Sequence, residues 1–131
     1  MTFLEKWFEE VWNKGRADAI DEMLAPHVQT CGLEHPDGTA VEGSGAFKAF
    51  HQQLCSSFSE IHVDVTQTVT EEDLTVARCV VTAVHTGDGL GVPATSRKVI
   101  FTGMCMVRLQ DGRAVEAWNN FDLNSMYRQL Q

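Results

Sequence analysis

The N-terminal part of the chain carries apolar residues at the three- and four-residue spacing of amphipathic helices. Thr2 and Glu5 have the spacing of a capping box, so a first helix is predicted to start there. It should end near Gly15, because glycine suits a left-handed C-cap. A second short helix is predicted over residues 17–24, and it should stop before Pro26.

The following segment, residues 26–45, contains glycine and acidic residues and predicts a turn at 35–38. Short strands are expected on either side of that turn, over 28–31 and 39–42. Ser44 is suited to cap a third helix. The apolar positions of that helix are Ala46, Phe47, Phe50, Leu54 and Phe58.

After the third helix the apolar period changes from helical to the two-residue repeat of strands. Asp111-Gly112 is a strong signal for a two-residue hairpin turn, and 87–93 is predicted to be a loop. The predicted elements are strands over 61–70, 74–86, 98–110 and 114–121, and a last helix over 123–130.

Helices followed by a long antiparallel meander are typical of an α+β fold, with helices on one face of a curved sheet. We expect a single domain over residues 1–131, in which the sheet curls over the N-terminal helices and encloses a conical space. The mouth of such a cone can hold a small molecule. With 44% hydrophobic and 21% charged residues, the composition is that of an ordinary globular protein.

The charge balance argues against two classes of partner. A formal net charge of −8 does not suit binding to nucleic acid or to an anionic membrane, because both require clustered lysine and arginine. No apolar run approaches the ~20 residues of a membrane helix, and the N-terminus is not typical of a signal peptide, so we expect a cytosolic protein. Four scattered cysteines, without Cys-x-x-Cys spacing, predict neither a zinc site nor a disulfide framework.

Several segments together resemble the SnoaL-like polyketide cyclase or "ester cyclase" group of the nuclear-transport-factor-2-like superfamily. The matching segments are 10–15, 20–26, 84–87, 90–95 and 111–118, with Asp122 and the terminal Gln129-Leu130. The resemblance spans essentially the whole chain. It implies a cone-shaped α+β barrel, a homodimer, no metal or organic cofactor, and ring closure by intramolecular aldol condensation. The acid–base aspartate of such cyclases corresponds to Asp122.

Strand parity provides an independent reason to consider this aspartate. Counting by two, Glu116, Trp118, Asn120 and Asp122 share one face of the last strand. If that face looks into the cone, a carboxylate lies beside an indole in a poorly hydrated space, which suits general acid–base catalysis. The alternative is that Asp122 caps the last helix. Glu116 would need a partner such as Arg78 or Arg108 if it were buried, and otherwise it faces solvent or a second subunit.

His85 is the second candidate catalytic residue. It shares a face of its strand with small residues and Val81, and it could share a proton with Asp122. The alternative is a strand-end histidine that bonds a loop carbonyl. The predicted substrate-binding residues are Trp118, Asn120, Glu116, Trp12, Val81 and Phe101.

The leading hypothesis is a cofactor-independent enzyme that removes a proton alpha to the carbonyl of a small apolar molecule. Two alternatives stay open: a non-catalytic protein that binds a hydrophobic ligand, and an epoxide hydrolase in which Glu116, Asp122 and Arg78 converge on a water. For the homodimer, the candidate surfaces are the apolar rows Ile61/Val63/Val65 and Met104/Met106.

Overall fold

A computed structural model describes residues 1–35 and 37–131. The predicted α+β class is confirmed: four short α-helices pack against one curved five-stranded sheet. The helices are α1 (Phe3–Trp7), α2 (Asp18–Met23), α3 (Gly43–Ser57) and α4 (Leu123–Gln129). The strands are β1 (Leu24–Cys31), β2 (Phe58–Glu71), β3 (Leu74–His85), β4 (Lys98–Gln110) and β5 (Arg113–Phe121).

The sheet has the order β1-β5-β4-β3-β2. The last four strands form the predicted antiparallel meander, and β1 pairs in parallel with β5. No helix of the described ranges is both long enough and apolar enough to cross a membrane.

The first helix begins with the predicted capping box. The Glu5 backbone N–H donates to the Thr2 hydroxyl (3.3 Å), and the Thr2 N–H donates to the Glu5 carboxylate (3.1 Å). The helix then widens into a π-helical turn, Phe8–Asn13, and Gly15 follows in the left-handed conformation. Aromatic side chains from both parts of this segment, Trp7 of α1 and Trp12 of the π-helical turn, pack on the ring of Phe47 in α3.

Three local predictions are wrong. The third helix starts at Gly43 without a side-chain cap, and the Ser44 hydroxyl donates to the Pro26 carbonyl instead (3.5 Å). Phe58 starts β2 rather than ending α3. In place of a strand over 39–42 there is a single bridge of Ala40 to Glu34, because that segment has no neighbouring strand to pair with. Position 36 of the predicted turn lies outside the described residues.

The two faces of the sheet differ in side-chain size. On β3 and β4 the buried inward positions hold mostly small residues: Ala77, Cys79, Val81, Ala83, Val99, Gly103, Cys105 and Val107. The outward face exposes Ile100 and Met104, of which 58% and 50% are accessible. Ile61 and Val63 belong to the inward face, so the row that they form with Val65 is not an outer surface for a second subunit.

Gly103 is required by a close approach between β4 and β5. A Cβ at this position would overlap the ring of Phe121, its register partner. The missing side chain lets the Phe121 ring lie over β4, in edge contact with Phe8 and Phe101 at centroid distances of 6.4 and 6.5 Å. This glycine therefore determines where an aromatic ring stands inside the cone.

We expect Gly103→Ala to lower the free energy of unfolding by about 1–3 kcal/mol, because the Phe121 ring must leave its position. Gly45→Ala is the matched control: nothing lies within 4 Å of its Cβ and it is in a helix, so alanine should be neutral or stabilise by up to ~1 kcal/mol. Urea denaturation of both variants measures the difference. Equal effects would contradict the proposed role of Gly103.

Candidate functional site

A cavity of about 390 Å³ lies between the concave face of the sheet and the N-terminal helices. Its volume is within the range of small-molecule sites. Most of the residues around it are aliphatic or aromatic. They come from α1, α3 and α4, from the π-helical turn, from the five strands and from the two loops that follow β1 and β3. A neutral or apolar molecule is therefore the kind of ligand that this space can desolvate at low cost.

A chain of aromatic contacts forms the helical wall of the cavity. The rings of Trp7 and Trp12 lie 5.3 and 6.2 Å from Phe47, and Phe47 lies 5.9 Å from Phe50. Phe50 in turn lies 6.4 Å from the imidazole of His35. All five side chains line the cavity, so the wall is continuous from the core to the loop after β1.

Two polar side chains hold the π-helical turn against its surroundings. Buried His51 donates from Nε2 to the Val11 carbonyl (2.8 Å), and its ring is 4.7 Å from that of Trp12. The Asn13 amide accepts from the backbone N–H of Val63 (2.6 Å) and donates to its carbonyl (3.1 Å), as a paired strand would. These bonds fix the orientation in which Trp12 meets the cavity.

Polar groups on the wall are few. They are Thr30, Glu34, His35, Gln53, Asn119 and Tyr127. Asn119 provides an amide on the inward face of β5, and its Nδ2 donates one hydrogen bond to the Cys31 carbonyl (3.3 Å). Among the described residues it makes no other side-chain hydrogen bond, so one N–H and the amide oxygen can meet a ligand. Gln53 instead donates to the Gly89 carbonyl (2.8 Å) and ties the loop after β3 to α3.

The mouth of the cavity is marked by the lining residues that solvent reaches. Glu34 and Gly38 are exposed on the loop after β1, and Tyr127 is 41% exposed on α4. His35 is half-buried next to them. A ligand that enters here passes a carboxylate and an imidazole before it reaches the aromatic wall.

Two cysteines on the concave face are inert. Burial raises the pKa of Cys105, which lines the cavity, to about 12, and it raises the pKa of Cys79 to about 11. Both therefore stay protonated at neutral pH and behave as small apolar side chains.

Trp12, Val81 and Phe101, predicted from the sequence to bind substrate, all line the cavity. They come from three separate elements, the π-helical turn, β3 and β4. The curvature of the sheet brings them around one space.

The remaining predicted binding residues do not line it. Glu116, Trp118 and Asn120 lie on the convex face of β5, while Ala117, Asn119 and Phe121 face inward. The condition that the Glu116 face looks into the cone is therefore not met, although its members do share one face. Glu116 accepts from Nε of Arg108 (2.9 Å), one of the two predicted partners.

Asp122 is exposed at the end of β5 and caps α4. Its carboxylate accepts from the Ser125 backbone N–H (3.0 Å), the alternative considered from the sequence. It borders a shallow depression on the convex face together with Arg78 and Asn120, outside the cavity. Glu116 is not part of that depression, so the three-residue arrangement of an epoxide hydrolase is not formed.

His85 is completely buried and does not line the cavity. Its Nδ1 accepts from the backbone N–H of Thr95 (3.2 Å) and lies 3.0 Å from the Thr95 hydroxyl. Because Nδ1 accepts a hydrogen bond, the proton of the imidazole ring is assigned to Nε2. Nε2 has no hydrogen-bond partner among the described residues. His85 thus holds the loop after β3 in place. His85 and Asp122 bond to different partners, Thr95 and Ser125, and not to each other. A catalytic role for the pair stays a prediction.

Sequence reasoning did not single out Glu34, Asn119 or Tyr127, and it assigned no chemistry to His35. Asn119 lies on the other face of β5 from Glu116 and Trp118. The alternation of side chains along a strand therefore defined its face as clearly as theirs. Glu34 and His35 lie in a loop, where no periodicity marks the inward side. Tyr127 shares a helical apolar period with Leu123 and Met126, and this spacing could have indicated its inward position. In the described ranges, no group of three His, Cys, Asp or Glu side chains could hold a metal ion.

Solved structures with the same fold come from several bacteria. A candidate SnoaL-like polyketide cyclase from Jannaschia sp. CCS1 is 25% identical, with a TM-score of 0.85 over 98% of this chain and 88% of that one. IdmH from Streptomyces antibioticus, a candidate polyketide cyclase, is 29% identical, with a TM-score of 0.80 over 98% and 95%. A Catenulispora acidiphila protein of ketosteroid isomerase-like fold, solved with trimethylamine, is 13% identical, with a TM-score of 0.78 over 97% and 90%, and shows the fold alone.

A comparison with curated protein sequences finds no match. The family model described as SnoaL-like polyketide cyclase matches residues 2–130, which is nearly the whole chain. The resemblance inferred from the sequence segments is thereby confirmed, and so is the nuclear-transport-factor-2-like architecture of the fold. The chain belongs to the SnoaL-like polyketide cyclase family.

Proposed function

We propose that this protein is a cofactor-independent enzyme that enolises a small, largely apolar carbonyl compound inside its cavity and so promotes its cyclisation or isomerisation. The observation that carries the proposal is the 390 Å³ apolar cavity with an imidazole and an amide on its wall. Membership of the cyclase family supports the same class of reaction.

His35 is the side chain that we propose as the base. It is half-buried at the cavity mouth and its ring packs against Phe50, which limits its rotation. Imidazole is the group that most often transfers protons near neutral pH. It would take the proton from the carbon next to the carbonyl. The C–H electron pair would then form the carbon–carbon double bond of an enolate, and the π pair of the carbonyl would move onto its oxygen.

Asn119 is the group that we propose to stabilise the enolate oxygen. The hydrogen bond to the Cys31 carbonyl fixes its amide, so that the second N–H needs little reorganisation to donate to a ligand. Return of the proton to a different carbon gives an isomer. Attack of the enolate carbon on a second carbonyl of the same molecule closes a ring and restores the first carbonyl. The alkoxide formed at the second carbonyl then takes back the proton from His35.

A protein that only binds a hydrophobic ligand is the second candidate. The strongly apolar lining favours it, because such a cavity binds without any proton transfer. The two functions differ in one measurable respect, which is whether the bound molecule exchanges its carbon-bound protons.

Deuterium exchange at the alpha carbon of 1-tetralone in D₂O, followed by proton NMR, tests the enzymatic proposal without knowledge of the natural substrate. We expect the protein to accelerate exchange, and His35→Asn to reduce that acceleration roughly 100-fold or more. Asp122→Asn keeps a good helix cap and should leave the exchange rate unchanged.

Loss of exchange in Asp122→Asn but not in His35→Asn would indicate that Asp122 is the base and would refute the role of His35. Binding of 1-tetralone without any acceleration of exchange would leave only the binding function. Circular dichroism of each variant provides the control for folding.

We also propose a homodimer that buries the convex face of the sheet. Ile100 and Met104 are exposed there, and Met106 and Trp118 are half-buried beside them. Exposed apolar side chains on one face of a sheet are typical of a surface for self-association. The row includes Met104 and Met106, one of the two surfaces predicted from the sequence.

Light scattering at micromolar concentration should give about twice the mass of 14.6 kDa. Met104→Glu places a charge on the apolar face and should give a monomer. Ala17→Glu, at an exposed position just before α2 on the helical side of the fold, should stay dimeric. A wild-type monomer would rule out this interface.

A further inference from the structure

The charged side chains that line the cavity have one sign. None of its described lining residues is lysine or arginine, while Glu34 lines it and is exposed at the mouth. The two adjoining loops add Asp37 and Asp88, both exposed. Hydrogen bonds from the Thr39 hydroxyl and backbone N–H lower the pKa of Asp37, so this carboxylate stays ionised.

The basic residues of the neighbouring elements do not line the cavity. Arg97, at the end of the loop after β3, is exposed and donates to the carbonyls of Gln129 and Gln131. Lys48 on α3 pairs with Asp21 away from the lining. Arg128 follows Tyr127 on α4, but it is exposed and does not line the cavity. The net charge of −8 adds to the negative potential at the mouth, which attracts cations and repels carboxylates.

The aromatic wall is an independent feature that suits the same kind of ligand. The contacts His35–Phe50 and Phe50–Phe47 lead from the loop that carries Glu34 to Trp12 in the interior. Faces of tryptophan and phenylalanine rings attract a cation at about 6 Å or less, most strongly where water is excluded. A positive group could thus approach Glu34 and stay close to ring faces as it enters.

We propose that the ligand of this cavity is an apolar carbonyl compound that carries a protonated amine, held near Glu34 and Phe50, and that carboxylate-bearing compounds are excluded. The inference rests on the proposed function in so far as it takes the cavity to be the ligand site. The inference specifies that the substrate carries a positive charge, whereas the proposed reaction does not define the charge of the substrate.

Three probes of similar size test the charge preference: benzyltrimethylammonium, its neutral carbon isostere neopentylbenzene, and 3-phenylpropanoate. Trp7 and Trp12 line the cavity, so tryptophan fluorescence reports occupancy directly. We expect the cation to bind about tenfold more tightly than the neutral probe, and the carboxylate not to bind at millimolar concentration. The preference for the cation should weaken as salt is raised from 0.05 to 0.5 M, approximate working concentrations that shorten the screening length.

Glu34→Gln should reduce the cation-to-neutral affinity ratio by about threefold, and Phe50→Leu should reduce it further while the neutral probe still binds. Glu71→Gln is the matched control, because Glu71 is an exposed glutamate that does not line the cavity. Equal binding of cation and neutral probe, or equal effects of the two glutamate variants, would overturn the charge preference and leave the proposed function intact. If no probe binds at all, both proposals fail.

Discussion

The structure depends on a mismatch of side-chain size between the sheet and the helices. The concave face of β3 and β4 offers mainly small side chains, whereas the helices oppose it with indole and phenyl rings. Rings that pack on one another at 5–6 Å form a stiff wall, and they cannot move down to fill the space above alanine, cysteine and glycine. The cavity follows from this mismatch, and its apolar character follows from the residues that create it.

The polar groups of the site depend on elements that have little regular structure of their own. His35 and Glu34 lie on the loop after β1, which is tied back by the bridge to Ala40. Asn119 is held by the carbonyl of Cys31 across the parallel pair of β1 and β5. Because β1 joins the meander at its edge, it brings a loop from the N-terminal half of the chain to the end of the last strand. That junction combines an imidazole, a carboxylate and an amide.

Much of the fold could be predicted from the sequence, because local patterns report local structure well. The capping box at Thr2, the Asp111-Gly112 hairpin and the alternation in β2 each predicted an element that the structure contains. The wrong predictions concern residues whose structure depends on partners that are distant in the sequence. Ser44 bonds to Pro26 instead of capping α3, and segment 39–42 has no strand beside it.

The candidate site illustrates the limit of the same reasoning. The sequence by itself determined that Glu116, Trp118 and Asn120 share one face of the last strand and that Asn119 and Phe121 share the other. Only the tertiary structure decided which of these faces is concave. A two-residue period is symmetric between the sides of a sheet, and the asymmetry comes from the curvature and from the helices packed on one side.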